Sequence, residues 1–148
     1  MYQRPAGELT QPASLVELLE RAGVTRSSLI RVTGPNSLPA LLWLCRHGYE
    51  QVACGRTGEG WPHEEEPDAI VVAHTCGELE LKLMLAAARQ LKPGGAFIFR
   101  VRTSAGASAV GLEWLLKQFG LSVHQRIESG RRALIIAHRT AVALRKAA

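Results

Sequence analysis

Five consecutive apolar residues, Ala69-Ile70-Val71-Val72-Ala73, stand between Asp68 and His74. The run is too short for a helix and rich in β-branched residues, so it reads as a strand. No polar residue interrupts it at alternate positions, so both of its faces must be buried. That pattern marks a parallel sheet covered by helices on each side. Ala96 to Val101 forms another strand of this kind.

The remaining segments alternate to match. Ser14-Leu15-Val16-Glu17 has the form of a capping box. It is expected to open a helix carrying Leu15, Leu18, Leu19 and Ala22 and stopping at Gly23. Ser28 to Thr33 reads as a strand, broken by Gly34-Pro35. Asn36 or Ser37 then caps a helix whose core stripe is expected at Leu38, Leu41, Leu42 and Cys45, with Gly48 as its stop. Glu50 to Cys54 is a short strand, and Gly55 to Pro67 has the breakers of a loop. Thr75-Cys76-Gly77-Glu78 is a second capping box, for a helix running to about Leu91 before Lys92-Pro93-Gly94-Gly95. A helix over 108–119 has Leu112, Leu115, Leu116 and Phe119 on one face, with Trp114 read as packing beside them. Leu121, Val123 and Ile127 begin a hairpin that turns at Ser129-Gly130 and returns through Ala133 to Ala137.

Strands separated by helices imply right-handed crossovers. The expected fold is an open, doubly wound, three-layer α/β/α sandwich. Its mostly parallel sheet has about six strands and closes with a C-terminal antiparallel hairpin. A chain of 148 residues fits one such domain, residues 1–148, with an N-terminal helical segment over 1–27 and a basic tail over 140–148.

Hydrophobic residues make up 47% and charged residues 21%, which excludes an intrinsically disordered chain or a disulfide scaffold. No apolar run approaches the ~20 residues of a membrane span, and residues 1–9 have no apolar signal-type core. Three cysteines without a Cys-x-x-Cys pair fit a reducing cytoplasm. The net charge of +5 lies entirely in the last segment. From Leu121 onward six basic residues face the single acid Glu128, and everything before is balanced. Such a one-ended field can steer acidic partners, although a solvated strand face is the simpler reading.

Two stretches carry a family resemblance. Asp68 to His74, a helix, and then Leu91-Lys92-Pro93-Gly94-Gly95-Ala96-Phe97-Ile98-Phe99 resemble the second half of a class I S-adenosylmethionine-dependent methyltransferase. In that family an Asp often opens the fourth strand, and a Leu-(Lys/Arg)-Pro-Gly-Gly turn precedes the fifth. The Phe119-Gly120-Leu121-Ser122-Val123 step into a closing hairpin also matches. The family places an acid-x-Gly-x-Gly pattern after its first strand and a ribose-binding acid at the end of its second. Here those places hold Arg31-Val32-Thr33-Gly34-Pro35-Asn36-Ser37 and Val52-Ala53-Cys54-Gly55-Arg56. Between Gly55 and Asp68 there is no room for a further helix–strand–helix, so one βα unit is expected to be missing beside the adenine position.

Ligands of open α/β sheets bind beyond the carboxyl ends of the strands. There the resemblance assigns Thr33, Gly34, Asn36 and Ser37 to a cofactor loop. It also puts His74 where a general base would face a methyl acceptor; a turn and an N-cap are the plainer reading of the first set. Cys54, His63, His74 and Cys76 are zinc-type residues without a zinc spacing, so no metal is expected. Trp43 and Trp61 can stack on a base. The basic residues Arg126, Arg131, Arg132 and Arg139, with His124 and Arg126 on the face opposite Leu121, Val123 and Ile127, can contact nucleic-acid phosphates.

The first functional expectation is a methyltransferase-like domain that has lost catalysis, binds no cofactor and acts as a binding or regulatory module for a protein partner or a second copy. The second is an active methyltransferase using S-adenosylmethionine. The third is electrostatic nucleic-acid binding through the hairpin. No membrane association is expected.

Overall fold

A computed structural model describes residues 12–34, 37–55, 66–102, 109–129 and 132–140. Helix α1 spans Pro12–Arg21, α2 Ser37–Arg46, α3 Glu78–Leu85 and α4 Ala109–Gln118. The strands are β1 Leu29–Thr33, β2 Gln51–Gly55, β3 Ala69–Cys76, β4 Ala96–Arg102, β5 Leu121–Ser129 and β6 Arg132–Arg139. They form one six-stranded sheet in the order β2-β1-β3-β4-β6-β5. Strands β1 to β4 run parallel to one another, and β6 is antiparallel to both β4 and β5.

The uninterrupted strands are buried on both faces, as their composition requires. On one face Leu18 and Leu19 of α1 and Leu44 of α2 cover Ile30, Val32, Val71, Ile98 and Ile136. On the other, Leu81 and Leu85 of α3 and Leu116 of α4 cover Ile70, Val72, Phe97, Phe99 and Ile135. The sandwich therefore has its expected three layers.

Asp68 fastens three strands at their amino ends. Its Oδ2 accepts from the Leu29 amide at 2.8 Å, and its Oδ1 lies 3.1 Å from Lys92 Nζ. Its backbone receives the Ala96 amide at 3.0 Å. The turn after Lys92 needs glycine twice. Gly94 has φ +84°, and a Cβ on Gly95 would lie 2.9 Å from Lys92 O and 3.0 Å from Asp68 O. Both of those atoms are backbone, so neither can swing aside.

Several local expectations are corrected. Helix α1 begins at Pro12, so Ser14 lies inside it; proline is at home in a first turn because its missing N–H has no intrahelical partner there. Thr75 belongs to β3, and α3 starts with Leu81 N–H donating to Gly77 O at 2.9 Å, so Thr75 is not its cap. Beyond Leu85 the chain tightens into a 3-10 helix, Ala86–Gln90, before the Lys92 turn.

The α2 stripe is out of phase with the sequence reading. Leu38 is 58% and Leu42 47% exposed, and Cys45 is exposed, whereas Leu44 is buried with Ala40 and Trp43 packed beside it. The helix is apolar nearly all round. The face carrying the small residue Ala40 docks, because it lets the helix approach the strands closely. In α4 the stripe at Leu112, Leu115, Leu116 and Phe119 packs inward, but Trp114 is 62% exposed and is not part of it.

The hairpin differs in a more consequential way. Val123 pairs with Ala137 and Gln125 with Ile136, so His124 is an extra residue in β5. Such a bulge reverses which face each later residue takes. Leu121 and Val123 pack toward α3 and α4, while Ile127 packs with the α1 and α2 layer. Arg126, paired with Ile135, lies on the α3 and α4 side. His124 instead stacks edge-on against His138, at 4.8 Å between centroids. His124 and Arg126 therefore do not share a face.

Candidate functional site

All four parallel strands point their carboxyl ends to one rim of the sheet. At β1 this end is Val32-Thr33-Gly34, in register with Cys54 and Gly55 of β2 and with Val71 and Val72 of β3. Thr33 is buried, and Gly34 turns the chain with φ +107°. Ser37 then starts α2, its amide donating to Gly34 O at 3.2 Å. Of the four residues of the expected cofactor loop, the structure thus groups Thr33, Gly34 and Ser37 around one strand-to-helix turn. Asn36 lies outside the described residues.

Arg31 is the one charged residue of β1 and β2. It alternates with Ile30 and Val32, which face α1 and α2, so it lies on the opposite face, between Ala53 of β2 and Ile70 of β3. It is only 6% exposed. Neither β1, Leu-Ile-Arg-Val-Thr, nor β2, Gln-Val-Ala-Cys-Gly, contains an acid.

His74 was expected just beyond its strand. It lies within β3, which runs on to Cys76 and shifts register against β4 between Val71 and Thr75. Cys54, the last residue but one of β2, is an exposed thiol, and His63 and Trp61 lie outside the described residues. Among the described residues no three His, Cys, Asp or Glu side chains converge on one point. Trp43 is half-buried with its ring stacked on His47, 3.9 Å between centroids, and His47 Nδ1 donates to Trp43 O at 2.9 Å.

The arginines of the hairpin are dispersed. Arg126 Nε donates to Glu128 Oε2 at 2.9 Å. Arg139 sits at the opposite end of the sheet, donating to the carbonyls of Leu91 and Arg89. Arg132 lies at the carboxyl rim opposite Arg102 of β4, and Arg131 lies outside the described residues. The sequence reading did not single out Arg100. It stands on β4 with its Nε buried and without a hydrogen-bond partner among the described residues. Its signal was an arginine inside the otherwise apolar run of the strand Ala-Phe-Ile-Phe-Arg-Val-Arg.

This geometry recurs in solved structures. A ribosomal protein L11 methylase from Lactobacillus delbrueckii subsp. bulgaricus superposes with a TM-score of 0.60 at 16% identity, covering 88% of this chain and 79% of that one. A SAM-dependent methyltransferase from Aquifex aeolicus gives 0.59 at 13% identity, covering 90% and 93%. The fold is that of the class I S-adenosylmethionine-dependent methyltransferases. Magnesium protoporphyrin IX methyltransferase from Synechocystis PCC 6803, solved with bound SAM, gives 0.57 at 11% identity over 90% of this chain and 80% of that one. No family model matches the sequence, and no curated protein matches it significantly. In this methyltransferase-like frame β2 is the edge strand among the described residues, next to the β1 turn. No helix among the described residues is long and apolar enough to cross a membrane.

Proposed function

We propose that this methyltransferase-like domain does not transfer methyl groups and serves as a binding or regulatory module. The observation that carries the reading is the pairing of Val32 with Cys54 and of Thr33 with Gly55. It brings the two strand ends that would hold a nucleoside cofactor side by side, with no carboxylate on either. A ribose offers two hydroxyls that a carboxylate accepts well. These strand ends fit S-adenosylmethionine poorly. The exposed Leu38, Leu42 and Cys45 on one side of α2 are apolar surface of the kind used by a protein partner or a second copy. Exposed thiols at Cys45 and Cys54 suit a reducing cytoplasm.

Calorimetric titration with S-adenosylmethionine and S-adenosylhomocysteine, paired with thermal unfolding, tests the reading. The expected result is no heat and no shift at millimolar ligand. A ligand at one hundred times its Kd would stabilise the fold by about 2.7 kcal/mol, which neither method would miss. Micromolar binding would overturn the proposal. Thr33, Gly34, Asn36 and Ser37 would then be the cofactor loop, and His74 the residue to test against the acceptor.

A further inference from the structure

The carboxyl end of β4 gathers positive charge. Ile98 pairs with Ile136 of β6, and both belong to the layer under α1 and α2. Strand alternation carries Arg100 and Arg102 to that same face, together with their partners Leu134 and Arg132. Arg102 and Arg132 are therefore directly opposed across an antiparallel pair, with Cβ atoms about 4.5–5.5 Å apart. Like charges so placed repel. Arg100 stands one step further in, diagonal to Arg132, with its Nε shielded from solvent.

Among the described residues, no carboxylate forms an ion pair with any of the three. Glu128 is engaged by Arg126 on the other face, and Asp68 by Lys92 at the far end of the strands. Burial, and then the charge of Arg132, lower the pKa of Arg100 from its ordinary value. That repulsion disappears if a compact anion sits among the three guanidinium groups.

We propose that Arg100, Arg102 and Arg132 form a binding site for a phosphomonoester group, with Arg100 at its floor and the two exposed arginines as its walls. A phosphoryl dianion offers three oxygens to planar forks that match it two bonds at a time. The observations favour a single phosphoryl group over a nucleic-acid backbone. A polyanion needs a stripe of contacts, and the hairpin breaks that stripe. Arg126 is turned to the opposite face and paired, and Arg139 is spent on main-chain carbonyls at the other end. The site lies on β4 and β6, away from the β1 and β2 ends, so it stands whether or not S-adenosylmethionine binds.

The test uses the full chain and three probes at matched ionic strength: inorganic phosphate, glycerol 3-phosphate and a single-stranded oligonucleotide. Thermal unfolding and calorimetry are expected to show stabilisation by the first two beyond a potassium chloride control. Arg102→Gln and Arg132→Gln are expected to weaken both by about tenfold or more, while Arg126→Gln leaves them unchanged. The two exposed variants are also expected to unfold no earlier than the parent without ligand, since each relieves repulsion. If phosphate does no more than chloride, or if Arg126→Gln acts as Arg132→Gln does, the site does not exist as described. Binding of the oligonucleotide alone, with log Kd changing steeply with log salt, would replace it with a polyanion surface.

Discussion

Removing the Asp68 carboxylate is predicted to loosen the sheet at the point where three strands start. In Asp68→Ala the Leu29 amide loses its 2.8 Å acceptor and Lys92 loses its partner. A hydrogen bond to a charged acceptor contributes about 1.5–3 kcal/mol. The ion pair adds less. Its side chains are 34% exposed for Asp68 and 50% for Lys92, which places it among surface pairs worth ~0–1 kcal/mol. The sum for Asp68→Ala is about 2–3 kcal/mol. Asp68→Asn keeps an oxygen for Leu29 and loses the charge, for about 1 kcal/mol. Lys92→Met removes only the pair, for about 0.5 kcal/mol or less. Urea unfolding followed by circular dichroism, with the slope held common across the variants, measures all three. At roughly 2–4 °C per kcal/mol for a domain near this size, Asp68→Ala should also lower Tm by about 4–12 °C. The decisive result is the order. If Lys92→Met destabilises as much as Asp68→Ala, the carboxylate works through Coulomb attraction and its role as an acceptor for β1 is refuted.

Two further outcomes check the packing and the titration. Leu44→Ala should destabilise by about 2–5 kcal/mol, while Leu42→Ala, on the exposed side of the same helix, should stay within about 0.5 kcal/mol of the parent in the same urea series. Burial raises the pKa of Tyr49, and Glu20 adds to this, while Arg26, whose guanidinium lies 4.5 Å over the ring, opposes it. The unfolded phenol ionises near 10, so the unfolded state gives up its proton first. Stability from this group is complete below that pH and falls as pH rises toward the folded pKa. Comparing urea midpoints at about pH 9 and about pH 11, Tyr49→Phe should lose less stability than the parent.

What could be read in advance was whatever depends on composition along the chain. The β-branched run at 69–73 has one stable home, the middle of a parallel sheet. The Lys92-Pro93-Gly94-Gly95 turn needs glycine for reasons of backbone geometry. Asp68 was expected at the start of its strand and is there. What escaped depends on contacts between segments. The docking face of α2 was chosen by the sheet beneath it, among several apolar faces of nearly equal merit. The bulge at His124 is a matter of register between β5 and β6, and no local pattern marks it. The candidate site was legible only in part. The turn at Thr33 and Gly34 follows from sequence, but the nearness of Arg100 and Arg102 to Arg132 depends on two strands separated by a helix and a strand.

The place of β1 has a consequence for synthesis on the ribosome. It lies between β2 and β3, and its first residue is held by Asp68, 39 positions later. At roughly 5–20 residues per second, the emerging chain carries β1 and β2 for some seconds as a two-stranded parallel ribbon, a form with little stability of its own. During that interval the side of β1 that β3 will occupy offers unpaired amides and carbonyls to any passing extended segment. The molecule is most vulnerable to mispairing before residue 69 leaves the exit tunnel, and the arrival of β3 closes that window at a stroke.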